Sequence, residues 1–268
     1  MNLIKVNQST CIKCGICTKV CPTRILYMQE NGPQVTNPSC IACGQCVAVC
    51  PNGAIDNVKT PLSNQIDIEN FPAIDSQTAE QFLRSRRSIR CYKNTPVPHE
   101  KLLKLVDIAH YAPTASNSQG ISYIIVENKQ ILETATKLII QWMEDQLENP
   151  VHWSFPRHVH VYRKDGVDTI LRDAPHLILA TASKDFKNGR ENTISSLTYL
   201  ELYANTIGLG SCWAGLFEIC AFSNYDPLLK LFNIPKNKVI TGAVMVGYPK
   251  YEYKRLVNRN ALDVTFIK

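Results

Sequence analysis

The chain has 268 residues, of which 45% are hydrophobic and 19% charged, the balance of a globular protein rather than a disordered or fibrous one. Its formal net charge of +6 is spread along the chain without a lysine or arginine tract, which argues against nucleic acid and suits an anionic cofactor or an acidic electron donor. No run approaches the roughly 18–20 apolar residues of a membrane span, so no membrane partner is expected, and the length favours two domains.

From the N-terminus, eight of the 11 cysteines fall into two copies of one pattern: Cys11, Cys14, Cys17 and Cys21 before Pro22, then Cys40, Cys43, Cys46 and Cys50 before Pro51. Each copy is C-x2-C-x2-C-x3-C-P, a 4Fe–4S spacing in which the fourth cysteine of one run serves the cluster of the other. The predicted ligand sets are Cys11, Cys14, Cys17 and Cys50 for one cluster, and Cys40, Cys43, Cys46 and Cys21 for the second. Zinc ribbons use paired C-x2-C knuckles instead. A disulfide framework would suit a secreted domain, but the start MNLIKVNQST lacks the apolar run of a signal peptide. Free thiolates and clusters need a reducing interior, so a cytoplasmic location is expected.

An offset of 29 residues lays CIKCGICTKVCP (Cys11–Pro22) on CIACGQCVAVCP (Cys40–Pro51) with eight identities in twelve positions. After each proline comes an apolar pair suited to sealing a cluster from water, Ile25-Leu26 and Ala54-Ile55. Residues 1–58 resemble the two-cluster bacterial ferredoxin, a domain so small that its metal also staples it. Residues 59–75 carry two prolines and no helical periodicity and read as a linker.

Beyond the linker, residues 76–268 read as a second domain. A helix is expected from Asp75 or Ser76, either of which can cap it, toward Arg86. Residues 98–110 start at a proline and space Leu102, Leu103, Val106 and Ala109 as one helix face. A strand over 121–127, a helix over 130–144, a buried strand over 176–182, a helix over 191–207 ended by Gly208 and Gly210, and a buried strand over 239–249 follow. Residues 141–166 read as an irregular, aromatic-rich stretch suited to a lid. Without clean βαβ alternation the fold class is α+β, a central sheet flanked by helices.

Four separated motifs occur in this domain. They are Arg86-Arg87-Ser88-Ile89-Arg90, the run from Ala112 to Gln119 (APTASNSQ), Gly208-Leu209-Gly210-Ser211-Cys212-Trp213-Ala214-Gly215, and Gly247-Tyr248-Pro249 with Arg255 and Arg259 beyond. Together they resemble the nitroreductase family of FMN flavoproteins. The resemblance implies a homodimer with FMN in a cleft at the subunit interface. It assigns Arg86, Arg87, Ser88 and Arg90 to the FMN phosphate, ribityl chain and pyrimidine edge. Thr114, Ser116 and Asn117 would reach the flavin from the other subunit, the backbone N–H groups of Ala214 and Gly215 would face N5, and Arg255 and Arg259 would return to the phosphate. Many relatives carry an acidic residue where Ala214 stands, and a Lys-x-Arg where this chain has Val257-Asn258-Arg259. Gly208-Leu209-Gly210 follows a helix rather than a strand, which excludes a Rossmann fingerprint.

The remaining candidates carry bland readings. His152, His158 and His160 suit a surface loop or lid better than a metal site. Cys91, Cys212 and Cys220 lie outside the cluster pattern, and buried cysteine usually packs as a small hydrophobe. Tyr199 and Tyr203, one helical turn apart, read as core.

The expected function is an iron–sulfur flavoprotein oxidoreductase. It would collect electrons through two 4Fe–4S clusters, or from NAD(P)H, onto FMN and reduce a small acceptor such as a nitroaromatic, quinone or activated alkene. A ferredoxin or flavodoxin is the expected protein donor. No side-chain catalyst is required, because the flavin carries the chemistry. The alternative is an electron-transfer module that links ferredoxin-like donors to a partner protein.

Overall fold

In the computed structural model, which describes residues 3–68 and 71–268, the 29-residue sequence repeat is also a repeat of backbone conformation. Lys13 and Ala42 both have φ +54°, Gly15 and Gly44 have +77° and +72°, and Arg24 and Gly53 have +51° and +56°. Each pair is a pair of repeat counterparts in the left-handed region, where only glycine sits without steric cost. The two glycines precede the single-turn helices α1 (Ile16–Lys19) and α2 (Gln45–Ala48). Four short strands complete this part: β1 (Ile4–Val6), β2 (Leu26–Gln29), β3 (Gly32–Val35) and β4 (Ile55–Asn57). β1 pairs antiparallel with β4, and β2 with β3. The buried core consists of Ile4, Cys17, Ile25, Leu26, Cys46, Val47 and Ile55. Two of its seven members are cysteines of the repeat, so apolar burial alone stabilises it little.

The chain divides into two compact units, Met1–Ala73 with Ala115–Ser118, and Ile74–Thr114 with Gln119–Lys268. Part of the expected linker is structured with the first unit. A 3-10 turn covers Leu62–Asn64, the Leu62 N–H donates to Asp56 Oδ1 at 2.8 Å, and Gln65 Nε2 donates to the Thr60 carbonyl at 3.3 Å. Residues 69 and 70 of that linker lie outside the described residues.

The second unit opens with α3 (Ser76–Ser85), capped by Asp75, whose Oδ1 accepts the Thr78 N–H at 2.9 Å. α4 (His99–His110) starts behind Pro98. β5 (Ser122–Val126) leads to α5 (Lys129–Glu144), capped by the Asn128 side chain. Then come α6 (Phe155–Asp165), β6 (His176–Ser183), α7 (Gly189–Thr206), β7 (Gly210–Trp213), α8 (Gly215–Phe222), α9 (Asp226–Leu231) and β8 (Lys238–Gly247). The sheet order is β5-β6-β8-β7, antiparallel throughout.

Alternation along the central strands explains why they read as continuous apolar runs. Leu177 and Leu179 of β6, with Ala243 and Met245 of β8, enter a core shared with α5, α6, α8 and α9. Ile178, Ala180, Val244 and Val246 point the other way, into a core built with Leu102, Leu105 and Ala109 of α4 and Leu197, Leu200 and Ala204 of α7. Helices thus cover both faces, and a strand buried on both faces keeps no polar alternation.

Two expectations are corrected. The stretch 141–166 is not irregular throughout. α5 runs to Glu144, and α6 occupies Phe155–Asp165 with Pro156 in its first turn, where the missing N–H has no helical partner to lose. Gly208, at φ +73°, ends α7, but Gly210 begins β7 instead of a cap. A Cβ on Gly210 would stand 2.5 Å from Ile89 Cγ1, so glycine there lets β7 close on the segment after α3.

Candidate functional site

Two of the cavities in the first unit are lined by cysteines of the repeat. One is lined by Cys11, Cys14, Cys17 and Cys50 with Met28, Pro33 and Ile55. The other is lined by Cys21, Cys40, Cys43 and Cys46 with Ile4, Ile25 and Leu26. The structure therefore gathers the cysteines in the two crossed sets that the spacing predicts. N–H donors meet the sulfurs: Ala54 N reaches Cys50 Sγ at 3.2 Å and Ala42 N reaches Cys40 Sγ at 3.4 Å. Asn57 Nδ2 lies 3.8 Å from Cys40 Sγ and 3.9 Å from Cys46 Sγ, and Thr23 Oγ1 lies 3.7 Å from Cys21 Sγ. Burial pushes the Cys17 and Cys46 thiols up. Cys21 feels burial in the same sense, yet the backbone N–H of Ile25 and the Thr23 hydroxyl prevail and lower it. Four sulfurs around an apolar cavity, with N–H groups aimed at them, fit a thiolate-ligated 4Fe–4S cluster.

In the second unit a cavity of about 300 Å³ opens where α3 ends. Arg86 leaves the helix in an extended conformation, at φ −61° and ψ 125°. The segment after it is stitched to β7: the Ile89 N–H donates to the Ser211 carbonyl at 2.9 Å, and Ser88 bridges to Ser211. Arg86 and Arg87 line the cavity together with Glu201, Ser211, Tyr251 and Tyr253. Arg86 Nη1 lies 3.5 Å from Glu201 Oε1, which also accepts from Ser211 Oγ at 3.1 Å. The buried Nε of Arg87 has no hydrogen-bond partner among the described residues, and its guanidinium lies over the Tyr253 ring. A buried N–H without a partner is costly. Beside a second guanidinium, it fits a bound anion such as a phosphate. Arg90 is exposed, with Nη1 3.4 Å from the Ser88 carbonyl.

At the start of α8 the backbone narrows the expectation for Ala214 and Gly215. The Ala214 N–H is committed to the Ala243 carbonyl at 2.9 Å. That leaves Gly215, whose N–H opens the helix and has no helical acceptor; a Cβ there would meet nothing within 4 Å. Thr114 Oγ1 accepts the Gln119 N–H at 3.1 Å. Ser116 and Asn117 form a tight turn at φ +51° and +52°. Within the first unit, Asn117 Nδ2 donates to the Ile41 and Ala42 carbonyls at 3.1 and 2.8 Å, so these amide hydrogens are already used. Arg255 and Arg259 are exposed in the irregular C-terminal segment. Tyr251 and Tyr253 of that segment line the cavity, but the two arginines do not.

Sequence reading passed over two glutamates. Glu201 lies in α7 among Leu197, Leu200 and Ala204 and is 5% exposed. Burial raises its carboxyl above the usual range, with Arg86 and Ser211 opposing. Glu218, in α8 beside Phe217 and Cys220, is 6% exposed. Burial raises it too, against its pair with Arg190. Arg190 Nη1 and Nη2 contact the two Glu218 oxygens at 3.2 and 3.0 Å, and Glu218 Oε1 accepts the Ala243 N–H at 2.9 Å. The available signal was an acid in the apolar stripe of a helix, since such acids stay buried only when paired.

The weaker candidates disperse. His152 Nδ1 meets Ser154 Oγ and His158 Nδ1 meets Thr169 Oγ1, each at 2.8 Å, while His160 is exposed. Cys212 and Cys220 are buried and Cys91 exposed; burial pushes the Cys220 thiol up to about 12. Tyr203 packs against a core, but Tyr199 is exposed, contrary to its reading as core.

Comparison with known proteins follows the same division. Residues 83–248 match the Nitroreductase family and residues 3–51 match the 4Fe-4S dicluster domain. An NADH dehydrogenase of Thermus thermophilus is 26% identical over 199 residues, which is 68% of this chain and 90% of that protein. An FMN-dependent nitroreductase from Clostridium difficile superposes with a TM-score of 0.50 at 26% identity, over 70% of this chain and 98% of its own. A nitroreductase with bound FMN from Bacteroides fragilis superposes with a TM-score of 0.58 over 72% of this chain and 100% of its own, at 18% identity, a likeness of fold.

Proposed function

From the premise that the chain belongs to the nitroreductase family and is an FMN-dependent oxidoreductase with a 4Fe–4S dicluster domain, we propose how it is supplied and what it reduces. In this reading one-electron equivalents delivered through two clusters, or a hydride from NAD(P)H, are collected as a pair on FMN and passed to a nitroaromatic, a quinone or an activated alkene. The chain's own residues bind and orient the groups. Arg86 and Arg87 hold the FMN phosphate, with Ser88 and Arg90 toward the ribityl chain and pyrimidine edge, and the Gly215 N–H faces N5. Homodimers are typical of the family, and in such an assembly Thr114 and Ser116 serve the second flavin. We assign no flavin contact to Asn117, whose amide hydrogens are spent, or to Ala214, whose N–H is spent. Arg255 and Arg259 belong to the phosphate side only if the C-terminal segment closes over it. The eight repeat cysteines hold the clusters in the two crossed sets.

The observation that carries the flavin assignment is the buried Arg87 Nε, without a hydrogen-bond partner among the described residues, beside Arg86 in the cavity at the end of α3. A charge-assisted bond contributes about 1.5–3 kcal/mol. Replacing Arg86 and Arg87 with alanine is therefore expected to weaken FMN binding by at least an order of magnitude while cluster absorbance is unchanged. Full flavin occupancy in the double variant would contradict the assignment. The electron supply is tested by anaerobic stopped-flow reduction with reduced ferredoxin, NADH and NADPH in turn, followed by turnover with a nitro compound or quinone. Rapid cluster reduction without turnover of any acceptor would leave the chain an electron-transfer module.

A further inference from the structure

The two cysteine sets are related by the 29-residue repeat, so a difference between their clusters must arise where counterparts differ. The backbone does not break the tie. The left-handed positions recur in pairs, and each set receives backbone amide donors, Ala54 N at Cys50 in the first, and Ala42 N at Cys40 with Ile25 N at Cys21 in the second. Charge does not break it either: Lys13 lines the first cavity, and Lys59 Nζ donates to the Cys40 carbonyl beside the second at 3.1 Å.

The tie breaks at the strands that wall the cavities. Met28 of β2 lines the first cavity, and its counterpart 29 residues on is Asn57 of β4, which lines the second. A thioether has no hydrogen to donate. Asn57 is 2% exposed, and its Oδ1 accepts the Lys59 N–H at 3.0 Å. That bond decides which way round the amide sits and turns Nδ2 toward Cys40 Sγ and Cys46 Sγ, at 3.8 and 3.9 Å. A second difference has the same sense. Thr23 places its hydroxyl 3.7 Å from Cys21 Sγ, whereas its counterpart Asn52, in the wall of the first cavity, donates its Nδ2 to the Thr10 carbonyl at 3.0 Å.

We propose that Asn57 is a potential-setting residue, raising the reduction potential of the cluster held by Cys21, Cys40, Cys43 and Cys46 above that of the cluster held by Cys11, Cys14, Cys17 and Cys50. The proposal rests on the ligand sets assigned above. Reduction adds negative charge that spreads onto the sulfurs, and hydrogen bonds to sulfur favour that more negative state. A donor fixed in a buried wall acts at low local dielectric, where its effect is larger than in water. Solvent at the exposed Cys14 raises the first cluster in the opposite sense. The exchange of Met28 and Asn57 separates the two effects, because neither substitution replaces Cys14 or its loop.

The test is an anaerobic redox titration of the full-length holoprotein, followed by electron paramagnetic resonance, with iron content measured on each variant. Wild-type protein is expected to show two midpoint potentials. Asn57→Met should lower the higher one and leave the other unmoved. Met28→Asn should raise the lower one, and the double exchange should narrow or invert the gap. Asn57→Met with both midpoints unchanged, or with both moved equally, overturns the proposal. If Asn57→Met loses its cluster, Met28→Asn carries the test, and an unmoved lower midpoint overturns it. Wild-type protein without two cluster signals overturns the ligand sets and this proposal together, whereas two signals indifferent to either substitution overturn this proposal alone.

Discussion

The two units of this chain are stabilised by different means. The second has apolar cores on both faces of a four-stranded sheet and stands on hydrophobic burial. The first has, among the described residues, a single hydrophobic cluster of seven buried side chains, two of them cysteines of the repeat, and strands of three or four residues. Such a unit depends on whatever its cysteines bind. Sites of similar importance are thus built in opposite order within one chain. In the second unit a fold stands first and offers a cavity. In the first, the bound group and the fold are one event.

The largest effect expected from this contrast is on removal of iron. Chelation of the full chain should abolish amide-exchange protection across residues 3–58 and leave the sheet of the second unit protected. Hydrogen exchange read by mass spectrometry distinguishes the units, and retained protection over 3–58 would show that the small core suffices alone.

A smaller effect belongs to the ion pair of the second unit. Truncating one partner of a buried pair costs about 3–5 kcal/mol, and Arg190 keeps 40% side-chain exposure, so Glu218→Ala should cost about 3 kcal/mol. It also orphans the Ala243 N–H. Glu218→Gln, which can keep that bond, should cost less. Urea unfolding measures both, and equal losses would mean that the Ala243 bond carries none of the effect.

The smallest effect is one of pH. Burial raises the Glu201 carboxyl above its ordinary 4.5, so the folded chain holds this proton more tightly than the unfolded chain. Its contribution is then complete below about pH 4.5 and is lost as pH rises through the raised value. Glu201→Gln should flatten the stability profile between about pH 4.5 and the raised value while leaving the acid limb in place. An unchanged profile would show that Arg86 and Ser211 hold the ionised form after all.

The sequence was most legible where one residue type at one spacing has few physical solutions. The cysteine runs are such a case, and their crossed sets surround the two cavities. Strands β6 and β8 were legible because burial on both faces leaves an apolar run too long for a loop. β7, at four residues, and α9, at six, were not, since neither spans a period that can be recognised. Glu201 and Glu218 were missed for another reason. Their partners, Arg86 and Arg190, are distant in sequence, and nothing local distinguishes a paired acid from a solvated one.

Residue spacing and composition by themselves determined the chemistry on offer: two tandem runs of thiolates, a cluster of guanidinium groups after a helix, and apolar segments for one sheet. Tertiary structure decided which of these groups are free to act. It committed the amide of Asn117 and the N–H of Ala214 to other carbonyls and left Arg87 Nε without a hydrogen-bond partner among the described residues. It also turned Asn57, and not its counterpart Met28, into a donor to sulfur. The reason is that a donor's availability depends on what surrounds it in space, and contacts between residues far apart in the chain leave no local pattern to read.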